Sequence, residues 1–429
     1  MQTDIDADRT LVTDQAGKQR ISRTNALGQL KDVWEVTASD ANTEPITFGA
    51  LSLHGYKTSY SYDTLNNLIT VNQGIQTRSF AYNSLSRLTS ATNPESGTIN
   101  YVYDGAGNLT SKTDARGVKT DYVYDSLNRV TNRNYSLTGS TPPDYQATPN
   151  VSYFYDGVNI ASGIANSKGK LTKVASSVST TEYTAFDILG RVTAHKQTTD
   201  GNAYTTGYTY NLSGALIEET YPSGRVVKNT LSNDGDLQQV QSQKSGGPLQ
   251  NYANGFNYNA AGAVTSMRLG NGKWENTTFN SRLQPTQIGL GGSATNTSLL
   301  KLNYDYGTTQ NNGNVLSQTI TVNRSNQTPL VFTQSYVYDS LNRLKSAEEK
   351  DASNATTWKQ TYTFDRYGNR RFDQTNTTFP TFENPNITNP QIDSANNRFT
   401  TGQGWTYDLA GNVITDAEGR SFFYDAENK

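Results

Sequence analysis

Acidic residues that recur in one sequence context are the first candidates for chemistry in this chain. Asp63, Asp104, Asp125 and Asp339 each follow a Tyr-x-Tyr triplet. Two carboxylates at a fixed separation can hydrolyse a glycosidic bond, so one hypothesis is a carbohydrate-active β-helix enzyme. Such an enzyme should gather its acids in one groove, whereas here an acid or amide stands in the same context in every repeat. The pattern therefore favours hydrogen-bond acceptors in turns over catalytic carboxylates.

Side chains that could bind a metal ion are scarce. The chain has two histidines, His54 and His195, and no cysteine, which excludes a multi-histidine site and the usual cysteine-containing zinc site. We interpret both histidines as surface residues of strands. Three acids alternate in segment 4–8 as in a calcium loop, but Arg9 stands where that loop needs glycine and Gln15 where it needs glutamate. We expect no cofactor and no metal site.

One short phrase, Tyr-x-Tyr-Asp-x-x-Gly/Asn-Asn/Arg-Leu, carries these acids and recurs in about thirteen variants. The clearest copies lie at 60–68, 101–109, 122–130 and 336–344. The second aromatic stands at 62, 82, 103 and 124 in the first copies, so the unit is about twenty residues long, which fits two strands of about seven residues and their turns. The residues predicted to carry this structural motif are Tyr60, Tyr62, Asp63, Tyr101, Tyr103, Asp104, Gly107, Tyr122, Tyr124, Asp125, Tyr336, Tyr338, Asp339, Tyr407, Asp408 and Gly411.

The phrase predicts a strand, a turn and a second strand. Alternation places both aromatic rings on one face of the sheet. The following Asp or Asn can accept N–H groups of the turn, and the Gly or Asn three or four positions later tolerates the positive φ of a reversal. A Leu or Val then begins the second strand, which ends at another glycine turn. Each repeat is therefore expected to be a β-hairpin joined to the next.

Composition indicates how such a sheet is stabilised. Only 34% of the residues are hydrophobic and the mean hydropathy is −0.69, but there are 27 tyrosines. Stacked rings bury area at modest entropic cost and leave each hydroxyl free to bond a neighbour. No segment has sustained helical periodicity. We predict an all-β protein whose repeated hairpins form a long, thin, curved sheet, rich in tyrosine and poor in helix.

Charge and hydropathy exclude several classes of partner. The 36 Lys and Arg residues nearly balance the 38 Asp and Glu residues and are scattered, so no nucleic-acid partner is expected. No apolar run is long enough to span a bilayer. The segment 1–8 has neither a basic nor an apolar region of the kind found in signal peptides, so export would need another route or a segment missing from this chain.

The whole chain, 1–429, reads as one repeat array. Residues 1–50 hold degenerate copies, and insertions near 136–150, 241–254 and 375–397 are rich in turn-forming residues. We predict that these insertions are exposed loops. Because the last repeat stops within its own turn, we interpret the chain as a fragment of a longer protein.

The repeated phrase, with the Asp-x-x-Gly-x-x-Thr-x-Tyr lead-in at 114–122, resembles the YD repeats of the Rhs family. That family includes bacterial Rhs polymorphic toxins, the C components of insecticidal toxin complexes and the teneurins. The resemblance implies a β-sheet that spirals into a hollow shell, or into part of one. It also implies a bacterial secreted or cell-surface location, a C-terminal effector or toxin domain as partner, and secretion machinery. The core that closes the family's shell, its Asp-Pro cleavage motif and its toxin domain have no counterpart in this sequence.

Three hypotheses for function remain. The favoured one is a non-enzymatic scaffold that encapsulates a C-terminal passenger. The second is an extracellular adhesion or carbohydrate-binding array whose partners are cell-surface glycans or receptors. The third is the carbohydrate-active enzyme, against which the even distribution of acids argues.

Overall fold

The computed structural model describes residues 1–160 and 163–429, and its main feature is an antiparallel sheet of 31 strands. Two hairpins of two strands each follow it. The helices in this part of the chain are a 3-10 helix, Gln374–Asn376, and a four-residue helix α1, Pro385–Thr388. The prediction of an all-β protein with a long sheet of hairpins is confirmed.

The strands of the first half of the chain are β1 Gln2–Asp6, β2 Arg9–Thr13, β3 Gln19–Thr24, β4 Leu30–Thr37, β5 Glu44–Phe48, β6 Leu51–Tyr62, β7 Leu68–Gln73, β8 Gln76–Tyr82, β9 Leu88–Asn93, β10 Gly97–Tyr103, β11 Leu109–Thr113, β12 Val118–Tyr124, β13 Val130–Leu137, β14 Val151–Tyr155, β15 Leu171–Ala175, β16 Ser179–Phe186, β17 Val192–Thr199 and β18 Asn202–Tyr210. Those of the second half are β19 Leu216–Thr220, β20 Val226–Leu231, β21 Leu237–Gln243, β22 Gln250–Tyr258, β23 Val264–Leu269, β24 Trp274–Phe279, β25 Pro285–Gly291, β26 Leu300–Asp305, β27 Ser317–Arg324, β28 Gln327–Tyr338, β29 Leu344–Asp351, β30 Thr356–Phe364, β31 Arg370–Phe372, β32 Ile392–Asp393, β33 Arg398–Phe399, β34 Thr406–Tyr407 and β35 Val413–Thr415.

The sheet is a meander, because each strand pairs with its neighbour in the chain. The exception is β4, which pairs with β6 while β5 forms a hairpin on the opposite side of β6. In the motif hairpins the register shifts at the second aromatic residue, as between Ser61 and Tyr62 or between Val123 and Tyr124. Such a bulge bends the strand and increases its local twist. A shift repeated in most hairpins gives the sheet a consistent curvature.

The hairpin of β5 and β6 covers the first strands and creates the one cluster of buried apolar side chains found in the described residues. Leu11, Ile21 and Trp34 come from β2, β3 and β4, and Ile46 and Phe48 come from β5. Burial of these side chains stabilises this corner by roughly 1.5 to 3 kcal/mol each. The range predicted to hold degenerate repeats, 1–50, therefore contributes most of a small two-layer core.

The three ranges predicted as insertions differ from one another. Range 241–254 contains the paired ends of β21 and β22, which leaves 244–249 as the connection. Range 375–397 contains α1 and β32 together with the buried side chain of Asn389. Range 136–150 contains the end of β13, and its backbone bonds to a distant part of the chain, as described below.

The sheet winds round until it meets itself. Hydrogen bonds between side chains, or between side chain and backbone, join residues 278 to 328 positions apart, so one winding takes about 300 residues. We call β1–β26 the first winding and the residues after β26, which include β27–β35, the second winding. The YD edge is the sheet edge formed by the motif turns, and the far edge is the opposite one. The seam is the contact of second-winding YD turns, residues 312–427, with the first-winding far edge, residues 14–148.

Candidate functional site: the YD turns and the seam

Each YD turn is closed by its first residue. In the turn at Asp125, carboxylate Oδ1 accepts the backbone N–H groups of Leu127 and Arg129, both at 2.9 Å. The N–H of Asn128 donates to the carbonyl of Asp125 at 3.0 Å. Asn128 itself has a φ of 59°. An amide or glycine suits this left-handed position, three residues after the acid.

The predicted motif residues occupy equivalent places in their own repeats. The tyrosine pairs lie at the ends of β6, β10, β12 and β28, and Tyr407 lies on β34. Asp63, Asp104, Asp339 and Asp408 each accept N–H groups of their own turn at 2.8 to 2.9 Å. Gly107 and Gly411 hold the left-handed position with φ values of 92° and 91°. The structure thus spreads these residues along an edge and does not gather them into a pocket.

Turn hydrogen bonds also control ionisation. The backbone N–H of Arg129 and the arginine's side chain hold the pKa of Asp125 below its ordinary value. In the turn at Asp104 the leading cause of a lowered pKa is the side-chain amide of Asn108, which donates to Oδ2 at 2.9 Å. A general acid needs a raised pKa. These carboxylates are instead held as anions by the turns they close.

The second tyrosine of the motif joins one repeat to the repeat before it. Tyr124 donates its hydroxyl to the carbonyl of Leu109 at 2.8 Å, and Tyr338 donates to Val315 at 2.9 Å. The same bond is made by Tyr155 to Val130, Tyr258 to Leu237, Tyr306 to Pro285 and Tyr424 to Val413. Burial raises the pKa of Tyr338. In these six repeats the hydroxyl bonds therefore tie each hairpin to the one before it, an arrangement that we call the tyrosine ladder.

Arginine at the eighth position of the phrase clasps the next repeat, a role that the sequence had not suggested. Arg343 donates through Nε to Asp339 Oδ2 at 2.7 Å and through Nη1 to the carbonyl of Asp365 at 2.9 Å. Its guanidinium carbon lies 4.5 Å from the centroid of the Phe364 ring. The planar fork of arginine can make all three contacts together. The signal was available, since the acid and the arginine stand four positions apart in several copies.

The clasp recurs where the phrase has arginine and is replaced where it has asparagine. Arg129 lies 4.3 Å from the ring of Tyr155 and donates to Asp156 Oδ2 at 3.0 Å. Where asparagine stands instead, as at Asn108, its amide bonds the turn acid of its own repeat and the Oδ1 of Asn128 in the next turn, at 3.0 Å. Both choices connect neighbouring YD turns laterally.

The middle of the seam is a network of polar groups around the buried side chain of Gln76. Gln76 donates through Nε2 to the Ser394 carbonyl at 2.9 Å and to Asn397 Oδ1 at 2.8 Å. Asn397 donates to Glu95 Oε1 at 2.7 Å, and Arg398 donates to the Glu95 carbonyl at 2.7 Å. Gln76 belongs to the first winding and is only 1% exposed. Polar side chains thus close the seam where an ordinary domain would use apolar ones.

Arg116 is the most deeply buried charge of the seam, with a side chain 1% exposed. Its Nε donates to Asp114 Oδ2 at 2.9 Å within the first winding. Its Nη2 donates to the carbonyl of Asp425 at 3.2 Å in the second winding, and Nη1 lies 3.7 Å from Asp408 Oδ2. Loss of such a buried, paired cation is strongly destabilising because its partners are left uncompensated.

At its end the seam becomes a short strand pairing. The N–H of Tyr424 donates to the carbonyl of Asp144, and the N–H of Gln146 donates to the carbonyl of Tyr424, both at 2.9 Å. Nearby, Tyr135 donates its hydroxyl to Glu427 at 2.7 Å, and burial together with this carboxylate raises the pKa of Tyr135. Range 136–150 is therefore part of the contact between windings.

A groove lined by uncharged residues lies beside the YD edge of β22–β25. Its volume is about 950 Å³, and it has no charged side chain in its lining. The lining consists of amide, hydroxyl and small apolar residues with one ring: Asn257, Asn259, Ala260, Ala261, Thr265, Ser266, Asn276, Thr277, Thr278, Phe279, Asn280, Leu283, Gln287, Ala294 and Thr295. Amides and hydroxyls beside an aromatic ring are groups that can bind a neutral, hydroxyl-rich ligand.

The remaining candidates for chemistry lie apart. His195 on β17 stacks on Tyr208, whose hydroxyl lies 3.2 Å from His195 Nδ1, whereas His54 lies on β6. Across 1–160 and 163–429, no group of three or more His, Asp or Glu side chains could hold a metal ion. In the same residues, no helix is long and apolar enough to cross a membrane.

The repeated turns, the tyrosine ladder and the wound meander define the class of wound YD-repeat sheets. Comparison with known proteins supports this class at two levels. The family model of the RHS repeat matches residues 103–139, a stretch that includes the turn at Asp125. No curated protein sequence matches the chain. The resemblance to the Rhs/YD-repeat family is confirmed by this match and by the fold.

Solved toxin-complex structures share the fold. TcdB2-TccC3-Cdc42 matches all of the chain with a TM-score of 0.80 at 15% identity. The Tc holotoxin pore of Photorhabdus luminescens also matches all of it, with a TM-score of 0.70 at 13% identity. TcdB2-TccC3 without its hypervariable C-terminal region matches 96% of the chain, with a TM-score of 0.68 at 13% identity. The chain spans 23% of the length of each of these structures.

Proposed function

We propose that this chain is a non-enzymatic wall segment of a shell that encloses a C-terminal effector or toxin. The observation that carries the proposal is the seam, because a sheet that meets itself after one winding separates an inner face from an outer face. The YD carboxylates support a structural role, since each is occupied by N–H groups of its own turn. The toxin complexes that share the fold support a secreted bacterial protein as the context in which such a wall would act.

Separation of the two faces is tested with single cysteines, because the natural chain has none. Val102 and Lys112 lie on adjacent strands and on opposite faces, since Lys112 pairs with Tyr101 and Val102 pairs with Ser111. Val102→Cys and Lys112→Cys should both react with a small maleimide. With a polyethylene-glycol maleimide, the cysteine on the outer face should react as fast as it does with the small reagent. The cysteine on the inner face should react more slowly. Equal reactivity of both cysteines toward the large reagent would contradict a shell wall.

Enclosure of a passenger is tested separately with a protease-sensitive reporter peptide. Fused after Lys429, the reporter should be digested more slowly than the same reporter fused before Met1. Equal digestion at the two ends would remove the support for a C-terminal passenger while leaving the wall itself in place.

The uncharged groove favours a second candidate function, recognition of a neutral cell-surface glycan. Phe279 supplies an aromatic face, and polar groups come from Thr278 on the same strand and from Gln287 on the neighbouring strand β25. Binding on a glycan array that is lost in Phe279→Ala and retained in Val102→Ala would support this role. Absence of binding by the parent chain would refute it.

A further inference from the structure

The seam shows which residue of a YD turn contacts a neighbouring winding. Two positions after the turn acid Asp339 stands Leu341, which lines a cavity of about 210 Å³ between the windings, opposite first-winding residues such as Val12 and Glu35. In the next turn Tyr367 has the same position, and its hydroxyl accepts the N–H of Ile75 at 3.1 Å. The third residue of the turn is therefore one of the projections that meet the far edge, beside Ser340, which bonds Thr37, and Asn342, which bonds Asp14.

In the residues that the structure describes, the first winding presents the same turn position largely to solvent. The third turn residue is leucine in five of its YD turns, and these side chains are between 56% and 82% exposed. They are Leu27, Leu65, Leu85, Leu127 and Leu189. Single exposed leucines are ordinary, but a row of them at equivalent positions along one edge marks an interaction surface.

The far edge likewise continues beyond the part that the seam covers. In one such turn the N–H of Tyr221 donates to the carbonyl of Arg225 at 2.7 Å. The equivalent bond in a seam turn runs from the N–H of Asp14 to the carbonyl of Lys18, at 2.9 Å. Exposed apolar side chains stand at or beside these uncovered far-edge turns, including Val178 and Tyr221, which are 58% and 40% exposed. Projections and receiving turns are therefore present on opposite edges of one molecule.

We propose that the exposed leucine row of the first-winding YD edge docks on the uncovered far edge of a second copy of this chain, beginning near Val178 and Tyr221. The seam joins two windings of one chain. The proposed contact has the same geometry but joins two chains. Because the two surfaces differ, the association is head to tail and does not close on itself as a two-fold dimer would. The proposal does not depend on what the shell encloses.

The test is sedimentation of the chain over a range of concentrations. The parent should form multiples of its 47.1 kDa mass as concentration rises. A projection variant, Leu65→Asp with Leu127→Asp, and a receiving variant, Val178→Asp with Tyr221→Asp, should each remain monomeric. Val102→Asp changes an apolar residue that is also exposed but lies on the sheet face, so it should associate like the parent.

Mixing the two variants decides the matter. Each variant keeps one intact surface, so an equimolar mixture should form dimers and nothing larger, a result that misfolded variants could not give. A monomeric parent at every concentration, variants that associate as the parent does, or a mixture that stays monomeric would each overturn the proposal.

Discussion

Two glycines have the same backbone conformation, but only one of them faces the seam. Alanine substitutions at the two positions therefore distinguish the free-energy cost of strain in a turn from the cost of disturbing the seam. Gly107 and Gly411 have φ values of 92° and 91°. A Cβ at Gly107 would have the Nη1 of Arg87 as its nearest atom, at 4.0 Å, whereas a Cβ at Gly411 would lie 2.2 Å from the carbonyl oxygen of Glu95 in the other winding. Alanine at either position has the same strain in φ, and only alanine at Gly411 meets the facing sheet.

The expected magnitudes follow from these distances. An alanine at positive φ costs about 1 kcal/mol, which both variants share. A carbon–oxygen contact needs roughly 3.2 Å, so Gly411→Ala must move the windings apart by about 1 Å. That displacement stretches the 2.7 Å bonds that Arg398 and Asn397 make with Glu95. At about 1 kcal/mol for each partly exposed bond, Gly411→Ala should cost about 3 kcal/mol locally.

Hydrogen exchange measured by mass spectrometry can detect this difference in local stability between the two variants, because 1 kcal/mol corresponds to about a fivefold change in local opening. Gly411→Ala should speed exchange in peptides from both windings, around residues 93–99 and 394–412. Gly107→Ala should affect its own hairpin, residues 100–113, and leave the second winding unchanged. Equal exchange around Glu95 in the two variants would refute the contact between windings.

Three further predictions concern the ladder, the clasp and the turn acids. Tyr338→Phe should lower the free energy of local opening by about 1 kcal/mol, because it removes a part-buried hydrogen bond, and unchanged exchange in β28 would contradict the ladder. Arg343→Lys should lower the thermal midpoint although charge is conserved, since lysine cannot bond Asp339 and the next turn while stacking on a ring; a midpoint equal to that of the parent would argue against the clasp. The pKa values of Asp104 and Asp125 are lower in the folded state than their ordinary value of 3.8, so their contribution to stability is complete above that pH and is lost as pH falls through the folded values. The unfolding midpoint in denaturant should therefore fall as the pH drops below about 4, and a flat profile there would contradict this.

The hairpins could be predicted from sequence because their determinants are local. Tyr122, Tyr124 and Asp125 lie within four positions, so strand alternation and turn chemistry together specify their places. The spacing of Asp339 and Arg343 indicated a bond within the repeat, but the link to the next repeat was hidden because its acceptor, the carbonyl of Asp365, is a backbone group. Contacts made to main-chain atoms of another repeat are generally hidden in this way.

The seam could not be predicted for a different reason. Its partners are about 300 residues apart, and their meeting depends on the curvature summed over more than twenty strands. A small error in bend per hairpin would bring Asn397 opposite a different residue from Glu95. The side chains around it, such as Gln76, look in sequence like ordinary surface residues of a strand. Only the three-dimensional course of the sheet identifies them as buried.

The agreement between strand order and chain order has a consequence for biosynthesis. Almost every strand finds its partner in the segment made immediately before it, so pairing needs only short loops to close and can keep pace with the ribosome. Closure of the seam is different, since it waits until some three hundred residues have emerged. A nascent molecule would therefore pass through a long period as an open ribbon with two unprotected borders. Translation speed and chaperones acting on that ribbon would decide how much of the product completes its first circuit.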